Sequence, residues 1–259
     1  MAGKLIRLVG LLWVVLLAAA WSGAAGAEMV TDRTHQQVLV DVRFSGQRIY
    51  FFGTLPDPAA DLVVKLVPAE PLPIKLMRKG KVVLFWMGVK QFEIHNLPYL
   101  YKIHSTRPLE QILGPELAHK YRLGYASLQD DMQLKLLKGS PSPDDRQVMF
   151  NGFIKLKEKQ NLYRIAANSI RVTKGRLFEH AFTFPDKAKE GTYLVETYAI
   201  KDGKVIDMSR DRVEVRKVGL TAWLYHTAQN NGVLYGVMAV VIALGAGLLV
   251  GTIFKGGGH

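Results

Sequence analysis

The chain of 259 residues contains no cysteine. That absence removes disulfide frameworks, thiolate nucleophiles, Cys-ligated zinc or iron–sulfur centres and thioether-linked haem. Acidic residues are scarce: 22 Asp and Glu stand against 34 Lys and Arg, for a formal net charge of +12. The usual catalytic signatures are missing as well. The sequence has no H-E-x-x-H, no histidine pair at i, i+4, no G-x-S-x-G elbow, no complete penicillin-binding set and no Gly-rich phosphate loop. Charge, finally, is absent from two long apolar blocks, one near each end.

These blocks suggest an address. Lys4 and Arg7 precede an apolar run from Leu8 to Ala20, and Ala25-Gly26-Ala27 matches an A-x-A cleavage pattern. Residues 1–27 therefore read as a secretory signal peptide, with the mature chain starting at Glu28. Gly232 to Phe254 is 23 residues without a charge, about 34 Å of helix and enough to cross a bilayer. Trp223, Tyr225 and Tyr235 lie near its outer end, where amphipathic rings favour the headgroup layer, and Arg216, Lys217 and Lys255 flank it. The expected layout is a single-pass protein of a bacterial inner (plasma) membrane, with its main domain in the periplasm and residues 255–259 as a cytoplasmic tail. One count opposes this orientation: Arg210, Arg212, Arg216 and Lys217 fall outside the span and only Lys255 inside. The signal outweighs it, because long domains translocate largely regardless of charge.

The region between the blocks reads as mainly β with a helical insert. Val38, Val40, Val42 and Phe44 alternate as one face of a strand, and about seven short strands with frequent turn signals run on to His104. This spacing suggests an Ig-like β-sandwich over 28–105, without the Cys and Trp pattern of true immunoglobulin domains. A helical segment, 106–160, follows. Ser105-Thr106 offers a cap before Leu109 and Ile112, Gly114-Pro115 restarts the helix, and Leu128 to Leu137 suggests a third one. Ser142 to Asp145 suits the start of a helix running to about Lys159, with Val148, Phe153 and Leu156 as buried candidates. A second β-rich region, 161–219, has four candidate strands: Tyr163–Val172, Leu177–Phe184, Tyr193–Ile200 and Val205–Val215. Its Lys201-Asp202-Gly203-Lys204 is a hairpin signal. Being thin, this region is expected to pack against the helical middle or the first sandwich. A juxtamembrane segment, 220–231, leads to the transmembrane helix at 232–254.

Several stretches carry a resemblance. They are Phe44-Ser45-Gly46 with the Ile49–Gly53 strand, Leu97-Pro98-Tyr99-Leu100-Tyr101 leading into Ser105-Thr106-Arg107-Pro108-Leu109, Gly191-Thr192-Tyr193 before Asp202-Gly203, and Leu234-Tyr235-Gly236. In their order and spacing the chain resembles the Alph_Pro_TM family of uncharacterised bacterial transmembrane proteins. The resemblance implies a layout of signal, β-rich exported domain and one C-terminal anchor. It also implies a genomic neighbourhood with sulfite-exporter-type permeases, and supplies no activity.

The candidate chemistry is sparse. His95 and His104 are nine residues apart, which on a regular strand puts them on opposite faces and argues against a shared metal. Asp130-Asp131 and Asp144-Asp145 are sequence neighbours that diverge by about 100° on a helix, so they read as solvated or helix-start charges. No cofactor is implied. Three basic groups stand out: Lys75, Arg78, Lys79 and Lys81; Lys155, Lys157 and Lys159; and Arg210, Arg212, Arg216 and Lys217. In an exported, anchored domain they would meet membrane lipid or an acidic partner rather than nucleic acid. The apolar span holds small residues, Gly232, Gly236, Ala239, Ala243, Gly247 and Gly251, at spacings of three or four. Such a stripe suits close helix–helix packing with an integral-membrane partner or a second copy. The leading expectation is a non-enzymatic accessory or assembly subunit of a membrane complex, with a permease as the implied partner. The alternative is a periplasmic binding module for a small anionic ligand or envelope polymer. A concave pocket where aromatic and basic residues converge would favour the latter.

Overall fold

The computed structural model describes residues 28–70, 73–82 and 85–255, so the signal reading of 1–27 and the tail beyond Lys255 lie outside the described residues. In chain order the elements begin with strands β1 (Thr31–Arg33), β2 (Gln37–Val40), β3 (Gln47–Thr54), β4 (Asp61–Pro68), β5 (Ile74–Val82), β6 (Phe85–His95) and β7 (Tyr101–Ser105). The middle holds α1 (Leu109–Ile112), α2 (Pro115–Lys120), α3 (Tyr125–Asp131), strand β8 (Gln133–Lys138) and α4 (Asp145–Lys159). Strands β9 (Tyr163–Ala166), β10 (Arg171–Thr173), β11 (Leu177–Phe184), β12 (Gly191–Lys201) and β13 (Lys204–Lys217) follow, then α5 (Gly219–Asn230) and α6 (Gly232–Lys255). The protein is mainly β with one C-terminal apolar helix.

Three sheets organise the strands: β1-β3-β11-β10, β2-β13-β12-β4-β7-β9 and β5-β6-β8. Strands from 28–105 and from 161–219 pair with one another in both larger sheets, so the second β region completes the first. Their inner faces follow from a period of two. On β11, Phe178, His180, Phe182 and Phe184 are buried while Leu177, Glu179 and Thr183 are exposed. They oppose Gly53, Phe51, Ile49 and Gln47 of β3 in antiparallel register. The six-stranded sheet lies across this face, with His104 of β7 4.3 Å from the Phe182 ring and Tyr193 of β12 edge-on to Phe184 at 5.5 Å. β12 is buried from Tyr193 to Ile200 apart from a half-covered Leu194, because its other face is roofed by the helical middle. There Tyr121 packs on Tyr198 at 5.1 Å, and the Tyr101 hydroxyl donates to the Arg122 carbonyl at 2.8 Å. The helical middle also has a topological reason. It carries the chain from β7 to β9, which are parallel neighbours and cannot be joined by a tight turn.

The Asp202-Gly203 hairpin forms as expected, with φ of 49° and 68° at its two central residues, the left-handed pair that matches strand twist. Other expectations are corrected. The first strand stops at Val40, and Val42 is 66% exposed because residues 41–46 turn away towards β3. Residues 128–137 are half helix and half strand: Met132 is extended and ends α3, and β8 then pairs with β6. On α4 the buried face is Met149, Phe150, Phe153 and Ile154, and Val148 and Leu156 are exposed. Asn168, at φ 53°, breaks Tyr163–Val172 into β9 and β10. Thr106 does not cap α1, whose cap position is Pro108; its hydroxyl donates to Asp61 at 2.9 Å instead.

Candidate ligand groove and membrane helix

β13 ends at Lys217 and passes through Val218 into α5 and then α6. The residues at that end of the six-stranded sheet are fixed by register: Pro68 of β4 faces Tyr193 of β12, which faces Val213 of β13. Both feet of the β5–β6 hairpin and the loop after β11 rise from the same end. The C-terminal helices and these loops therefore leave from the same end of the sheet.

α6 is a continuous helix whose apolar stretch, Gly232–Thr252, has no residue buried against the rest of the chain. Gly232, Gly236, Gly247 and Gly251 each have open space where a side chain would begin, and Ala239 and Ala243 are exposed. Trp223, Tyr225 and Tyr235 are 51%, 39% and 42% exposed. Lys217 places its ammonium 3.4 Å from the Tyr225 ring centroid, and Arg216 reaches Glu214 at 3.8 Å. Lys255 closes α6.

The basic groups fare differently. On β5, Arg78 is drawn to Asp145 at 2.9 Å, and Lys90 of β6 joins it at 2.8 Å. The Lys90 ammonium and, less, the Ser142 amide hold the Asp145 carboxyl below its usual range against burial. The expected helix-start charge is thus a tether between α4 and the hairpin. Of the second group, Lys155 and Lys159 are exposed while Lys157 is buried. Its ammonium lies 3.8 Å from the Tyr99 ring centroid, and that of Lys189 lies 4.3 Å from the same ring. Burial, then Lys189, pushes the Lys157 ammonium down to about 8.

Tyr99 and Lys189 open onto a groove of about 590 Å³ on the outer face of the six-stranded sheet. Its floor is Pro68, Ala69 and Leu194, and Arg210 and Arg212 reach it from β13. A smaller hollow of about 200 Å³ shares that floor and runs inward to Lys65, Glu196 and Arg122. Here Lys65 and Glu196 form a buried ion pair at 2.8 Å, which Arg210 joins at 2.8 Å and the Tyr198 hydroxyl caps at 2.8 Å. Burial raises the Glu196 carboxyl, but Lys65, with the Tyr198 and Arg210 hydrogen bonds, outweighs it and holds the group below its usual range. Arg210 and Arg212 of the third group thus line the groove, and Lys157 of the second stands behind its Tyr99. Of the two residues that join them, Tyr99 stands in the sequence only as part of the Leu97–Tyr101 stretch of the family resemblance, and Lys189 carries no motif.

His104 and His180 meet between the two large sheets, with ring centroids 5.8 Å apart. Neither nitrogen of His180 has a hydrogen-bond partner among the described residues, and Nδ1 of His104 has none either. Burial, then His104, pushes His180 down to about 3; burial, with Lys102 and Arg164, pushes His104 down to about 4. Both stay neutral and apolar in behaviour. His95 lies elsewhere, 3.3 Å from Glu93. Among the described residues no three His, Asp or Glu side chains gather within reach of one metal ion.

The family model described as "Putative transmembrane protein (Alph_Pro_TM)" matches residues 28–256, and the chain belongs to that family. No curated protein matches it significantly.

Proposed function

We propose that the protein is a non-enzymatic accessory or assembly subunit of a membrane complex in the bacterial inner membrane, with its Ig-like β body in the periplasm. The observation that carries this reading is the span: a continuous apolar helix whose small-residue side is open along its length. Small residues let helix backbones approach and gain dispersion contacts that a simple anchor does not need. The facing inner surfaces of the four- and six-stranded sheets support the sandwich reading of the body. The test is purification from native membranes in mild detergent, with the wild type compared with a Gly236→Leu/Gly247→Leu variant. A stoichiometric membrane partner, or a dimer, that is lost in the variant supports the reading. An assembly unchanged by the two substitutions refutes it.

A second reading, the anionic-ligand module, is favoured by the groove, where basic side chains and an aromatic ring converge in a concave site.

A further inference from the structure

We infer that the Tyr99 end of this groove is a phosphate-type oxyanion site, with Lys189 and Arg212 as its direct cations and Lys157 as the buried charge behind them. The inference rests on the second reading above and gives it a location and a ligand chemistry.

It starts from missing counter-charges. Lys157 is only 3% exposed, yet among the described residues no carboxylate comes within ion-pair distance of its ammonium, and none pairs with Lys189 or Arg212. Two ammonium groups crowd one Tyr99 ring at 3.8 Å and 4.3 Å. The attraction of a ring face is small beside the cost of burying an unneutralised ammonium. Other buried cations here are better served: Lys65 has Glu196, and Lys102 donates to the Thr183 carbonyl at 2.6 Å. Arg210 is taken by Glu196, which leaves Arg212 as the groove's free guanidinium. Three carboxylates, Glu70, Glu190 and Glu214, also line the groove, and Asp186 lies close enough to act on Tyr99. Glu214 faces Arg216 at 3.8 Å and Glu190 accepts the Lys217 amide at 3.3 Å, but none of the four comes within ion-pair distance of Lys157, Lys189 or Arg212. An oxyanion held by Lys189 and Arg212 supplies the absent charge and relieves the repulsion that Lys157 feels from Lys189.

The volume suits a ligand of headgroup size. The groove also lies at the sheet end that leads to the anchor, so a phospholipid headgroup and a free phosphate ion both have access. Their shared chemistry is a phosphate group with at least one ionised oxygen.

The test uses the full chain in micelles of a maltoside detergent, which carries no phosphate, titrated with inorganic phosphate by calorimetry at constant ionic strength. Lys189→Gln/Arg212→Gln should weaken binding at least tenfold, whereas Lys204→Gln, at the β12–β13 turn on the opposite end of the sheet, should leave it unchanged. Both altered side chains are exposed, and an unchanged urea midpoint shows that the fold is kept. Repeating the titration in nanodiscs containing phosphatidylglycerol separates the sources. Loss of phosphate binding there identifies the headgroup as the occupant, and unchanged binding identifies the free ion. Phosphate binding equal in wild type and double variant overturns the site while sparing the second reading. No response to either phosphate or phosphatidylglycerol overturns both.

Discussion

The histidines between the large sheets give the protein a calculable weakness in acid. His180 is 3% exposed and stacks on Phe51 at 5.3 Å, with Phe182 edge-on at 5.0 Å; both of its nitrogens lack partners. The folded state therefore refuses a proton that the unfolded chain accepts at an ordinary pKa of about 6.5. With the folded values depressed to about 3 and about 4, full stability is present above the unfolded value and is lost progressively as pH falls below it. At pH 5 the gap below the unfolded value is about 1.5 units, or about 2 kcal/mol for each histidine and about 4 kcal/mol for the pair. His180→Phe removes one titrating group and two unpaired nitrogens while keeping an aromatic ring in the stack. The full chain in mild detergent would be unfolded with urea at pH 7.5 and pH 5, followed by far-ultraviolet circular dichroism. The wild type should lose about 2 kcal/mol more than the variant between the two pH values. Carboxylates titrate equally in both proteins and drop out of the comparison. Equal losses would show that His180 takes up its proton in the folded state, and would refute the account of a dry inter-sheet core.

Two further outcomes follow from packing. Gly53 faces β11 so closely that an added Cβ would lie 2.2 Å from the Val30 carbonyl oxygen and 2.8 Å from the Phe178 ring. Gly53→Ala should cost about 1–3 kcal/mol by urea midpoint, as overpacked sites do, and a neutral result would mean that β1 is loosely held. Lys65→Met should cost about 3 kcal/mol at pH 7, because it strips Glu196 of the more buried of its two cations. A double-mutant cycle with Glu196→Gln should recover part of that loss, and strict additivity would show that the pair is uncoupled.

What could be read in advance was periodic or local. The alternation Phe178, His180, Phe182, Phe184 fixes the inner face of β11 whatever its partner, and Asp202-Gly203 specifies its own turn. The uncharged run in α6 marks a candidate span by its length and composition. What was not legible depends on partners distant in sequence. β12 and β4 are neighbours, so Lys65 and Glu196 meet, but neither strand's pattern names the other. Interleaved sheets cannot be told from two successive sandwiches by turn spacing, since both give short strands at similar intervals. The faces of α4 were misjudged for a related reason. Val148 and Leu156 are more apolar than Lys157, but the side turned inward is the one shared with Phe150 and Phe153, and Lys157 follows them into the core with its stem. The signal for the groove was the excess of lysine and arginine. Its location came only from register, which brings Arg212 opposite Leu194.

The link between the body and the span decides how the groove meets a bilayer. α5 has 12 residues, so standing upright it would lift the sheet end about 18 Å above the start of α6. At that height Arg212 would lie beyond the screening length of about 8 Å in physiological salt, and a charged membrane surface would scarcely affect it. The residues of α5 argue for the other posture. Leu220 and Trp223 are one turn apart and both exposed, at 56% and 51%, while Tyr225 carries the Lys217 ammonium on its ring. An exposed apolar edge with an aromatic ring and a basic residue alongside is the composition of a helix that lies in the headgroup layer. Asn231 lets it do so, because its extended φ of −140° and ψ of 69° break the helical path between α5 and α6. With α5 lying flat, the β13 terminus would be drawn down to the surface, and the proposed groove would face phosphate groups at a distance where its unpaired cations count.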